Sequence, residues 1–279
     1  MIFNFFFQKN KSEEPKLTEP KKCEEKEEPQ KKEGDAFKDV APKVDGRLDM
    51  VIAFDTTGSM AAYIEAVRKE VSELVPRLFK TNPDLRIGIV AFGDYCDMND
   101  AQTFGNAYQC LMPTDNENDI VKFVQTSKDT SGGDGDEFYE LVLKKIIDET
   151  PWREEATKVI LLIADASPHP VGYTYRDYVV GNQIDWRVEA RKAADKMIKI
   201  DTVTITDNPW FKELSAMTNG VSAPFSSSHK TARLVEAATM SRGSEMSRMK
   251  FREMADSCAD EEIRNVMASY RKECDGEVD

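Results

Sequence analysis

Histidine and cysteine are scarce in this chain of 279 residues, with two of the first and five of the second. The cysteines (Cys23, Cys96, Cys110, Cys258, Cys274) are odd in number and widely spaced, with no C-x-x-C pair and only His169 and His229 beside them. That suggests neither a disulfide framework nor a Cys/His zinc site. Long hydrophobic runs are also missing. The opening MIFNFFFQKNK holds an apolar stretch shorter than a signal-peptide core and far shorter than a membrane span, and no small-residue cleavage site follows it. The chain therefore reads as cytoplasmic, in a reducing compartment. Basic residues are in deficit, 38 against 51 acidic ones, for a net charge of −13. A nucleic-acid backbone is a poor partner for such a surface. Nothing matches a P-loop, a G-x-G-x-x-G turn, an H-E-x-x-H helix or a Ser-His-Asp set.

What is present falls into three parts. Residues 1–47 form a charged arm, rich in Lys, Glu and Pro and poor in large apolar side chains, which cannot bury enough surface to offset its ordering entropy. Its tip carries Ile2, Phe3, Phe5, Phe6 and Phe7. This tip reads either as a weak dock for a partner or a membrane surface, or as a terminus with no role. Residues 48–241 alternate short aliphatic runs with amphipathic stretches. The runs MVIAF (50–54), RIGIVAF (86–92), AYQCLM (107–112), KVILLIA (158–164) and DTVTI (201–205) read as buried strands. Helical spacing covers 61–79, 117–125, 137–148, 187–198 and 208–217. This βα alternation predicts an α/β domain, a mostly parallel sheet with helices on both faces, and RIGIVAF with AYQCLM admits an antiparallel edge strand. Residues 242–279 form a helical extension, with one long helix expected over 244–272.

In an open parallel sheet the ligand crevice lies outside the carboxyl ends of the strands. Acidic loops follow three predicted strands there: Asp55-Thr56-Thr57-Gly58-Ser59, Gly93-Asp94-Tyr95-Cys96-Asp97 and Asp165 in IADASPHP. Another, Thr130 to Glu137, is glycine-rich and precedes a helix. In an extended loop, side chains at i, i+2 and i+4 face one side, so Asp55, Thr57 and Ser59 bring a carboxylate and two hydroxyls to one point. With Asp134 and Asp165 they make five hard oxygen donors, a set suited to Mg²⁺ or Mn²⁺. The same residues also suit a helix cap and tight turns. Asp94, Tyr95, Asp97 and His169 are expected at the rim of this site, as candidate contacts for a partner.

These motifs carry a resemblance. From about Leu48 to Ser228 the chain resembles the von Willebrand factor type A domain, whose metal-ion-dependent adhesion site combines D-x-[ST]-x-S, a residue of a glycine-rich loop and an aspartate after a central strand. DTTGS matches at Asp55, Thr57 and Ser59; SGGDGDE resembles the SGGGD-x-PE form of alpha-kinase-associated and hemicentin-like members and assigns Asp134; IADASPH assigns Asp165. The resemblance implies a Rossmann-like fold, a Mg²⁺-type cofactor and a protein partner bound at the metal, with no catalysis. Asp134 departs from the threonine of many adhesive members. A third carboxylate leaves a divalent site at a net negative charge, which disfavours an acidic ligand. The alternative is a metal-dependent phosphoryl-transfer hydrolase with Asp55 as nucleophile, but Thr57 stands where such enzymes want a second acid.

Overall fold

The aliphatic runs send successive side chains to opposite faces, the period that a strand requires. Met50, Ile87, Ile89, Val159, Leu161 and Ile163 face one apolar cluster, while Val51, Val90, Phe92, Ile160 and Leu162 face another. The computed structural model describes residues 45–98, 105–175, 183–224, 227 and 230–276. The Phe-rich tip and nearly all of the charged arm lie outside the described residues.

Among the described residues the strands are β1 (Leu48–Asp55), β2 (Leu85–Phe92), β3 (Tyr108–Thr114), β4 (Asp136–Glu137), β5 (Thr157–Ala164), β6 (Ser167–Pro168), β7 (Ile198–Thr204) and β8 (Ser222–Pro224). The main sheet has the order β3-β2-β1-β5-β7-β8, parallel throughout except for the antiparallel edge strand β3. The strands β4 and β6 pair with each other in a small parallel ladder.

The helices are α1 (Ala61–Thr81), α2 (Glu117–Thr126), α3 (Tyr139–Glu149), α4 (Trp186–Asp195), α5 (Pro209–Met217), α6 (Thr231–Met240), α7 (Glu245–Asp256) and α8 (Glu261–Cys274). One face of the sheet is covered by α1, α2, α6, α7 and α8, the other by α3, α4 and α5. This is the mixed, mostly parallel α/β fold expected. Several boundaries differ from the pattern: the helix expected from residue 137 begins at Tyr139, after β4, and the strand expected over 201–205 already begins at Ile198. The helix expected to reach residue 198 stops at Asp195, because Met197 takes a positive φ of 55° and Ile198 already opens β7. The single helix expected over 244–272 is two, since Asp260 caps a new helix by accepting from the Ile263 N–H at 3.0 Å.

The order places β1 between β2 and β5, so the chain leaves β1 toward one edge and later returns on its other side. That reversal opens a crevice between the carboxyl ends of β1 and β5. Asp55 ends β1, and Asp165 follows directly on β5.

Candidate metal centre

Asp55 is fully buried, and its backbone lies in register with Phe92 of β2. Its Oδ1 accepts from the Thr57 N–H at 2.7 Å and from Thr57 Oγ1 at 2.6 Å, and its Oδ2 accepts from the Tyr139 hydroxyl at 2.6 Å. Burial pushes its pKa up to about 7; the hydrogen bonds from Thr57 and Tyr139 oppose the rise and the negative Asp165 adds to it. Thr57 Oγ1 lies 3.5 Å from Ser59 Oγ, and Ser59 is exposed. The three side chains thus line one side of the loop, as their spacing predicts. Thr57 gives no side-chain cap to the turn that follows, since its hydroxyl serves Asp55.

The glycine-rich loop is pinned to this one. The Thr130 N–H donates to the Thr56 carbonyl at 3.0 Å and the two hydroxyls lie 3.0 Å apart, with Thr56 Oγ1 donating to the Phe92 carbonyl. Asp97 accepts from the N–H groups of Ser131 at 2.9 Å, Gly132 at 3.3 Å and Asp94 at 2.9 Å. Gly132 holds φ at 71°, and a Cβ there would stand 2.9 Å from Glu137 Oε1 and 3.3 Å from Thr57 Cβ. A side chain would therefore collide where Glu137 approaches Thr57. Glu137 is buried; that burial, then the charges of Asp55, Asp94, Asp97 and Asp165, push its pKa up to about 10.

Asp165 is held from the far side of the crevice. Its carbonyl accepts from Thr206 Oγ1 at 2.7 Å, the next carbonyl, of Ala166, accepts from Trp210 Nε1 at 2.7 Å, and Asn208 Nδ2 donates to Ser167 Oγ at 2.6 Å. The Tyr139 hydroxyl closes the ring by accepting from the Ala166 N–H at 3.2 Å. Two oxygens here, Asp165 Oδ1 and Glu137 Oε2, are buried without a hydrogen-bond partner. An orphaned buried oxygen costs roughly 1–3 kcal/mol or more when charged, and a hard divalent cation is the partner that carboxylate and hydroxyl oxygens suit. Asp55, Thr57, Ser59, Asp165 and Glu137 offer oxygens of that type, the first three on one side of the loop.

Asp134 has a different setting from the one expected. It is exposed, its Oδ2 accepts from the Tyr173 hydroxyl at 2.9 Å, its Oδ1 accepts from the Asp136 N–H at 3.0 Å, and one of its oxygens lies within 4.8 Å of Asp94 and His169. Within the glycine-rich loop, Glu137 thus feels the charges of Asp55 and Asp165, while Asp134 gathers with Asp94 and His169. The four rim residues need correction too: Asp94, Tyr95, Asp97 and His169 are all buried. Asp97 ties down backbone, Tyr95 donates to Glu140 Oε1 at 2.7 Å, and His169 Nε2 lies 2.7 Å from Asp94 Oδ1. They are unsuited as surface contacts because they hold the loops from beneath. In the sequence Glu137 and Tyr139 blend into the start of a helix; the acid closing the glycine-rich loop is the available signal.

Comparison with known proteins agrees with this fold. Residues 49–238 match the family model of the von Willebrand factor type A domain. Among similar curated proteins, the alpha-protein kinase vwkA of Dictyostelium discoideum is 28% identical over 131 residues, covering 45% of this chain and 19% of the kinase. An ariadne-like RING finger protein of Acanthamoeba polyphaga mimivirus is 24% identical over 122 residues, covering 44% of this chain and 11% of that protein. The matches thus span less than a fifth of either relative.

Proposed function

Because the chain belongs to the von Willebrand factor type A domain family, whose members generally serve in protein interaction and commonly bind a divalent metal, we propose that it is a metal-dependent protein-interaction module. The cation, Mg²⁺ or Mn²⁺, is held by Asp55, Thr57, Ser59 and Asp165, with Glu137 facing it from the glycine-rich loop. The single observation that carries this reading is the pair of unpartnered buried oxygens, Asp165 Oδ1 and Glu137 Oε2, beside Asp55 at the strand crevice. A bound cation supplies an electrophilic point at which a partner's oxygen donor completes the coordination shell. The protein's own residues fix that point: Tyr139 and Thr57 orient Asp55, and Thr206 and Trp210 hold the Asp165 loop.

The test is thermal unfolding with and without cation, because a ligand that binds only the native state raises Tm by mass action. Mg²⁺ or Mn²⁺ should raise Tm for the wild-type protein and not for Asp55→Ala. Glu137→Gln should weaken the shift more than Asp134→Asn. No shift in the wild type, or an equal one in Asp55→Ala, would refute the metal reading. A capture experiment run with Mg²⁺ and again with EDTA then reads partner binding itself. The module is assigned no catalysis: both Asp55 oxygens are engaged by hydroxyl donors, and Thr57 occupies the place of the second acid that a phosphoryl-transfer site needs.

A further inference from the structure

His169 is buried between proline neighbours, 2% exposed, with its ring stacked on Tyr173 at 3.7 Å between centroids. Its Nε2 lies 2.7 Å from Oδ1 of Asp94, which is fully buried. Asp94 Oδ2 has no hydrogen-bond partner, and neither does His169 Nδ1. The free Asp94 oxygen points toward the glycine-rich loop: a Cβ on Gly133 would stand 3.5 Å from it and 2.9 Å from Cys96 Sγ. The next residue, Asp134, completes a group in which Asp94, Asp134 and His169 each offer a ligand atom within 4.8 Å of the others.

We propose that Asp94, Asp134 and His169 form a second cation site, of zinc type, separate from the centre at Asp55. One imidazole and two carboxylates are a donor set that zinc accepts and that magnesium, which favours oxygen ligands alone, does not. Three protein ligands leave a fourth position open to water, and Cys96 Sγ lies beside Gly133 at the same loop. The Tyr173 hydroxyl, donating to Asp134 Oδ2 at 2.9 Å, supplies the outer hydrogen bond that orients a metal-bound carboxylate. Asp134 is exposed, which gives the ion its way in. Such an ion would join the β2 turn, the glycine-rich loop and the segment after β6 through one residue from each.

The experiment is calorimetric titration of the full chain with Zn²⁺, with Co²⁺ absorption as a second readout, on wild type, Asp134→Asn, His169→Gln and Asp55→Ala. The proposal expects one zinc equivalent, at least about tenfold weaker in Asp134→Asn and His169→Gln and unchanged in Asp55→Ala. Because the Asp134 side chain is exposed, Asp134→Asn decides the matter even if His169→Gln fails to fold. Equal zinc affinity in Asp134→Asn, loss of zinc in Asp55→Ala, or no zinc binding by the wild type would overturn it, the last leaving an ion pair only between Asp94 and His169. Binding of Mg²⁺ at Asp55 is read separately, so either site can fail without the other.

Discussion

The hydroxyl of Tyr139 donates to Asp55 and accepts from the Ala166 N–H, so one oxygen sets both acidic loops against each other. Its ring is fully buried and stacked on Trp210, 5.5 Å between centroids, which leaves it little freedom. Tyr139→Phe keeps the ring and strands the two partners. Leaving a buried donor or acceptor unsatisfied costs about 1–3 kcal/mol, so urea unfolding without metal should show a loss in that range. Outer hydrogen bonds orient metal ligands, and their removal typically costs about 10–100-fold in metal affinity. Calorimetry with Mn²⁺ should show at least the lower figure; unchanged affinity would mean that Asp55 needs no help in aiming. At this scale the sequence was legible where the site is local in the chain. Asp55, Thr57 and Ser59 share one loop, and their spacing alone puts them on one side. Tyr139, Glu137 and the Asp94–His169 pair were not legible, because 84 residues separate Tyr139 from Asp55 and 75 separate His169 from Asp94. No local pattern reports which of two neighbouring loop acids turns inward.

Among the elements, α8 is fastened to the sheet by a buried charge cluster. Arg242, 2% exposed in its side chain, donates to Asp201 Oδ1 at 2.9 Å and to Glu273 of α8 through Nε at 3.0 Å. Asp201 of β7 also accepts from the Val221 N–H at 2.8 Å and from the Tyr270 hydroxyl of α8 at 3.1 Å. Removing one member of such a pair leaves the other charge buried and uncompensated. Arg242→Ala should cost about 3–5 kcal/mol in chemical denaturation, with Asp201→Asn added to it recovering part of the loss. A loss below about 1 kcal/mol would show that water reaches Asp201 once the guanidinium is gone. The aliphatic strands were easy to read, since runs such as KVILLIA admit little else. The C-terminal helices were harder. A rough apolar stripe spans both α7 and α8, and the break between them is dictated by the Asp260 cap rather than by hydrophobic spacing. On that stripe Met254 and Met267 join the core, whereas Met246 and Met249 are exposed.

Over the whole molecule, the acidic centre lies at the carboxyl ends of the strands, and a second charged cluster lies at the opposite ends, where Arg86 and Arg153 hold the buried Asp49. The second cluster is neutralised from within by two arginines. Among the described residues no lysine or arginine forms an ion pair with Asp55, Glu137 or Asp165, so a bound cation would balance the first. A kinase is among the relatives, but the shared region covers 19% of it. Turnover of simple phosphomonoesters by this chain should be no faster than by Asp55→Asn, measured side by side with Mg²⁺; metal-dependent turnover lost in the variant would make the module an enzyme after all. Among the described residues no helix is long and apolar enough to cross a membrane.

The small ladder of Asp136–Glu137 with Ser167–Pro168 has a mechanical meaning. It splices the loop carrying Glu137 to the loop that follows Asp165 by backbone pairing. The Thr130–Thr56 hydrogen bonds in turn fasten the glycine-rich loop to the turn after β1, so the three loops of the centre are linked in series. A pull on any one of them is therefore passed to its neighbours along the main chain, as in links of one short chain.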